Sequence, residues 1–453
     1  MAESTNTIQK EIQDREAKER RELRRKRRQR NQILAFLTLL LFVCLIVAII
    51  GIGVWYIMHR GAGKTTSGGA ATTEETTIDN LFESEDEIVK PEETNTEPSL
   101  TPEQQLDAIL DEAFISQMPL EDKVAGLFIV TPESITGVNK AVKAGDGTKD
   151  ALNKYAVGGV VYTSQNMQDA AQFTEMVSNT TLYSRYALFT CVAEEGGSST
   201  SLEKAGLADK TDSEQAMGTG ADAAKAYEAS GKIADSMLTY GLNLNFAPVA
   251  DLATVQDSYL KDASYGSDAA LAASFVTSAV QGMQEKGISS CLKYFPGAAD
   301  MKEDPATGMA SSERTAEQLA AEEFTVFQAG IDAGADMVMV GHVAVPALTG
   351  DNTPCSLSSA VVTDKLRNEL GFDGVIITDA MNKGAITEYY EADEAAILAL
   401  KAGCDMILCP DDFEKAYNGV LEAVQNGTIS EERINDSLRR IYRIKYASMM
   451  PEE

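Results

Sequence analysis

From Pro102 onward, short apolar runs of three to six residues alternate with longer alanine-rich stretches. The short runs have the length and β-branched character of buried strands: Gly126 to Val130, Gly159 to Tyr162, Leu188 to Ala193, Leu242 to Ala247, Ser289 to Tyr294, Met337 to Val340, Gly374 to Ile377 and Met406 to Leu408. Stretches such as Ala221 to Tyr240 and Ala269 to Lys286 carry apolar residues three or four apart and read as helices. In EKGISS and DAGADMVMV a helix ends at glycine and a strand starts within a few residues, which is the mark of a short helix-to-strand loop. Eight such units over 104–448 predict an α/β fold of the (β/α)8 TIM-barrel type, with a doubly wound open sheet as the alternative. A last helix over Ser430 to Ser448 is expected to pack outside the barrel.

The first hundred residues follow a different pattern. Ile33 to Met58 is a 26-residue apolar run, long enough for a transmembrane helix and longer than a signal-peptide core. Residues 1–30 hold 11 Lys or Arg against 6 acids, which predicts a basic cytoplasmic segment over 1–32 and an extracellular C-terminal domain. Residues 59–103 are rich in Thr, Glu and Gly, with too few large apolar side chains to fold, and read as a disordered acidic linker.

Charge sharpens this division. Residues 1–60 sum to +6, so the rest of the chain carries −36 of the net −30. A domain this acidic argues against nucleic acid as a partner. Of the six cysteines, Cys44 lies in the membrane run, and the remaining odd number, scattered through apolar stretches, does not form a disulfide framework. The chain has only two histidines, His59 and His342, which disfavours a transition-metal site; an oxygen-ligand site for a hard cation stays open.

In a barrel of this type, chemistry gathers where strands end. The residues at those positions are Glu194 and Glu195, Asp251, Lys293, His342, Asp379, and Asp411 with Asp412. Asp379 closes the run GFDGVIITDAM and is either a functional acid or an N-cap for the segment after it. Paired carboxylates around a sugar-sized cleft are what glycoside hydrolysis requires.

LEDKVAGLFIV, VGGVVYTSQNMQD, EEGGSSTSL, LNFAPVADL, LKYFPGAAD, VGHVAVPAL and GFDGVIITDAM occur in that order across 104–448. Together they resemble the barrel domain of family 3 glycoside hydrolases, and within it the single-domain β-N-acetylhexosaminidases. The resemblance implies a retaining mechanism with Asp379 as nucleophile, sugar contacts from Lys293, His342, Glu195 and Asp251, and Met381 near the sugar ring. It implies a glycan or cell-wall sugar as partner and no cofactor or metal, because the chemistry uses side chains alone. It names no protein partner.

The sequence also departs from that family's pattern. Tyr294 and Ala298 stand where K-H-F-P-G-H-G-D carries histidines, and KEDPATGMASS stands where the Asp-Ser-His acid/base dyad belongs. Ala193 and Ser198 replace the Asp and Arg of Asp-x-Glu-Gly-Gly-Arg, and Ala263 replaces the Arg of Arg-Ser-Phe-Gly. Glu303 and Asp304 are candidate substitute acids in the dyad loop, with Glu194 a further candidate. Two functions follow: a membrane-anchored glycosidase acting through Asp379, or a catalytically degenerate barrel that binds glycan or protein at the cell envelope.

Overall fold

The computed structural model describes residues 102–447 apart from 199, 261 and 299. The expected cytoplasmic segment, transmembrane helix and nearly all of the linker lie outside the described residues. Among the described residues no helix is long and apolar enough to cross a membrane.

Eight parallel strands close in sequence order: β1 (Phe128–Val130), β2 (Gly159–Val161), β3 (Phe189–Val192), β4 (Leu244–Asn245), β5 (Ser289–Phe295), β6 (Met337–Val340), β7 (Val375–Ala380) and β8 (Met406–Leu408). β8 returns to β1 with Phe128 opposite Ile407 and Ile129 opposite Leu408, so the sheet is a closed barrel and the open-sheet alternative is excluded. Seven of the eight are the buried apolar runs of the sequence with their ends moved by at most two residues, as expected where helices cover the outside and side chains fill the inside. The approach of β2 to the chain before β1 depends on Gly158, where an added Cβ would lie 2.1 Å from the Gly126 carbonyl oxygen.

Two strands differ from expectation in ways that shape the site. β4 stops at Asn245, and the chain then runs through Pro248, which has no N–H to donate to a ladder. β7 extends beyond its apolar run to Ala380, with a register shift against β8 between Ile377 and Ala380. Asp379 is therefore held within the last turn of pleat in β7 rather than in the loop that follows.

The opposite end of the barrel is tied by ions. Asp405, immediately before β8 and fully buried, accepts from Arg367 Nη2 at 2.7 Å, Ser437 Oγ at 2.8 Å, the Ile376 amide at 3.0 Å and Arg440 Nη1 at 3.2 Å. Ser437 and Arg440 belong to the final helix, Glu431–Lys445, whose N-cap Ser430 accepts the Arg433 amide. Each buried carboxylate lone pair thus meets a donor, which is the condition for burying such a charge. Five cysteines fall among the described residues; all are free, with Cys191, Cys291, Cys355 and Cys404 buried and Cys409 half-buried.

Candidate active site

Asp379 is 6% exposed. Its Oδ1 accepts the Ala380 amide at 2.7 Å and its Oδ2 accepts Lys383 Nζ at 2.6 Å. The N-cap alternative for Asp379 is excluded, because the following helix starts at Gly384 and Lys383 occupies its cap position. Burial pushes the Asp379 carboxyl up, but the Lys383 ammonium, followed by His342 and the two hydrogen bonds, outweighs it and holds the group below the ordinary aspartate value. Asp379 is an ionised carboxylate at neutral pH.

His342 lies just past β6 and is fully buried. Its Nε2 is 3.1 Å from the Ala380 carbonyl oxygen and its Nδ1 is 2.7 Å from Ser356 Oγ. A carbonyl only accepts, so Nε2 carries the proton and Nδ1 accepts from the serine hydroxyl. Burial lowers the imidazole pKa further, which keeps the ring neutral. Both nitrogens are used by protein, and the ring props the end of β7.

Lys293 stands on β5 and pairs with Glu195, which follows β3; both side chains are at least nine-tenths buried. Burial would push the Lys293 ammonium down, yet Glu195, and after it Tyr294, hold it above the ordinary lysine value. Tyr294 has the Lys293 Nζ 5.1 Å from its ring centre and the Lys383 Nζ 5.5 Å from it, so one ring bridges the two lysines.

The remaining carboxyls of the site are occupied elsewhere. Asp251, 1% exposed, accepts the Leu252 amide at 2.7 Å and the Ala298 amide at 3.0 and 2.9 Å on its two oxygens. Burial pushes it up to about 8. Glu194 turns from the barrel mouth to accept the Ser201 and Leu202 amides at 2.6 and 2.9 Å, capping the short helix Ser201–Lys204. Glu303 and Asp304 are exposed, and Asp304 accepts the Ala306 amide at 2.8 Å in the turn Pro305–Thr307. Met381 is buried, its amide bonded to the Leu408 carbonyl at 2.9 Å. Asp412 caps the helix Phe413–Gln425 through the Lys415 amide.

The cavity over Asp379 has a volume of about 10 Å³, lined by Tyr259, Tyr294, Pro305, His342, Asp379 and Lys383 among others. That is room for about one water, whereas small-molecule sites run to roughly 300–1,000 Å³. The turn Pro305–Thr307 forms one wall and is seated against Gly384, where an added Cβ would lie 2.8 Å from the Gly308 amide nitrogen.

The structure thus gathers Asp379, His342 and Lys293 with Glu195 at one rim, as the strand-end reading anticipates. That reading missed Lys383 and Tyr259. A cation four residues after Asp379 was visible as a signal; nothing marked Tyr259. It also missed Glu214, a buried acid that accepts the Val249 amide at 3.2 Å on both oxygens.

The sequence profile described as the Glycosyl hydrolase family 3 N terminal domain matches residues 119–444. The chain belongs to glycoside hydrolase family 3.

Relatives within the family agree with this barrel. A "Beta-hexosaminidase" of Stenotrophomonas maltophilia (strain R551-3) is 31% identical over 284 residues, covering 60% of this chain and 82% of that protein. The solved family 3 beta-N-acetylglucosaminidase from Paenibacillus sp. str. FPU-7 superposes with a TM-score of 0.69 at 31% identity, over 74% of this chain and 64% of that one. The Beta-N-acetylhexosaminidase from Beutenbergia cavernae DSM 12333 gives 0.65 at 26% identity, over 73% of this chain and 99% of that one. In this family 3 barrel Asp379, at the end of β7, is an ionised aspartate, and the loops around it carry Tyr294, Ala298 and the Pro305 turn.

Proposed function

We propose that this β-hexosaminidase-like barrel is catalytically degenerate and serves as a glycan- or protein-binding module at the cell envelope, carried outside the cell on a transmembrane helix over 33–58. The observation that supports this reading most is the state of the site's acids. Glu194 and Asp251 are bound to backbone amides, Glu195 to Lys293, and Glu303 and Asp304 are exposed, while Asp379 itself is paired with Lys383 under a cavity of about 10 Å³. Retaining hydrolysis needs a proton donor about 5–5.5 Å from the nucleophile, and loss of such a donor typically costs about 10²- to 10⁴-fold.

The second reading is a retaining β-N-acetylhexosaminidase acting on cell-wall or other glycans through Asp379. It is favoured by one observation: Asp379 is buried yet ionised, the condition a carboxylate nucleophile requires. Mass spectrometry of the full chain after incubation with activated 2-deoxy-2-fluoro glycosides of gluco and galacto type, and with an activated 5-fluoro N-acetylhexosaminide, separates the two. These probes carry a good leaving group and bypass the missing acid. No adduct on any of them is the result expected. An adduct on Asp379 that is absent from Asp379→Ala would establish the hydrolase instead.

A further inference from the structure

A cleft of about 250 Å³ lies between the segment 200–211 and the helix Ala224–Thr239, next to the barrel mouth but separate from the Asp379 cavity. Its floor is Leu202, fully buried, with Ile233 beside it. Two acids face it from the inner side: Glu194, 2% exposed, and Glu203, whose Oε2 is buried with no hydrogen-bond partner among the described residues. Two lysines, Lys210 and Lys232, stand exposed on its rim and make no ion pair among the described residues. Asp235, on the same wall, is already held by Lys286 at 2.8 Å, and Asp209 is exposed beside Lys210.

These charges are arranged in depth. A buried carboxylate oxygen without a donor costs free energy until a donor reaches it. The outer lysines call for an acceptor. A neutral sugar leaves both demands unanswered, a simple cation meets only Glu203, and a simple anion meets only the lysines. One molecule with an ammonium group inward and a carboxylate outward satisfies both, and its carbon skeleton lies on Leu202 and Ile233. A volume of about 250 Å³ equals about eight waters at roughly 30 Å³ each, the size of one or two amino-acid units.

We propose that this cleft is a binding site for a small zwitterion, an amino acid or dipeptide, with its ammonium group on Glu203 and Glu194 and its carboxylate on Lys210 and Lys232. The site rests on neither reading of Asp379. Its link to the barrel mouth is covalent: Glu194 is followed by Glu195, the partner of Lys293.

Isothermal titration of the full chain with L-alanine, L-glutamate, L-lysine and alanyl-alanine, beside N-acetyl-alanine and alanine amide, tests it. At least one zwitterion binds with Kd below about 1 mM, and blocking either its amino or its carboxyl end weakens binding about tenfold or more, the effect of losing one charged hydrogen bond. Glu203→Gln and Lys232→Ala each weaken it to a similar degree; Lys232 is exposed on its helix, so that variant keeps the fold, as its thermal melt will report. The proposal is overturned if none of the four zwitterions binds, if the blocked forms bind as well as the free ones, or if both variants bind like the parent chain.

Discussion

Lys383 Nζ lies 2.6 Å from Asp379 Oδ2, across a span of four residues that is not helical. The ammonium lies against the Asp379 carboxylate and is itself held above the ordinary lysine value, burial opposing and Asp379 prevailing.

Removing one partner strands the other. Lys383→Met is expected to lower the unfolding free energy by about 2 kcal/mol, less than for a fully buried pair because the lysine side chain is 24% exposed. The double variant Asp379→Asn/Lys383→Met should recover most of that loss. Urea unfolding of the four chains in a double-mutant cycle measures the coupling, and additive losses would show that the pair contributes nothing.

Asp251 and Glu194 make stability depend on pH. Burial pushes their carboxyls up to about 8 and about 7. Unfolded carboxyls titrate near pH 4, so between about 4 and 8 the folded chain holds protons that the unfolded chain has lost, and stability falls as pH rises through that window. Asp251→Asn should flatten the fall by up to about 1.4 kcal/mol per pH unit, read from unfolding at pH 5, 6.5 and 8. An unchanged slope would remove Asp251 as its source.

Lys445 acts in the opposite direction. Its Nζ sits 4.7 Å from the Phe189 ring centre and 4.8 Å from that of Tyr442, with no hydrogen bond among the described residues, and burial pushes it down to about 7. Unfolded lysine titrates near pH 10.4, so the unfolded chain binds more protons between about 7 and 10 and stability rises with pH there. Lys445→Met should stabilise the chain at pH 7 by on the order of 1–2 kcal/mol and abolish that rise, seen as a higher Tm at pH 7 than at present.

The turn over Asp379 depends on a missing side chain. In Gly384→Ala the new Cβ meets the backbone of Thr307 and Gly308 within 3 Å, so the turn must move. Hydrogen exchange at the Thr307 amide, now bonded to the Asp304 carbonyl at 2.9 Å, should accelerate at least tenfold. Exchange at the parent rate would mean that the turn is held by something other than this contact.

The strands were legible in the sequence because a strand buried on both faces must be apolar throughout, and the glycine-ended helices mark where each begins. Asp379 and His342 were legible because they are polar residues two positions past such runs, and Lys293 because it is a charge near the end of one. What those residues touch was not. Glu194 looked like an acid aimed at the mouth, but the loop after β3 folds back and offers it two amides. Lys383 was visible four residues after Asp379, but its pairing with that carboxylate was not, because β7 continues three residues past its apolar run and brings the loop lysine over it. Local pattern reports burial, whereas the pairing of charges in loops is set by the path of the chain through space.

Asp405 and its arginines sit at the opposite end of the strands from Asp379. Barrel closure is therefore anchored away from the rim that carries Asp379, Tyr294 and Ala298. Drift at the upper loops leaves the fastening below untouched, so this domain is suited to receive transplanted loops: a working dyad segment grafted between β5 and β6 would meet a frame that already closes without it.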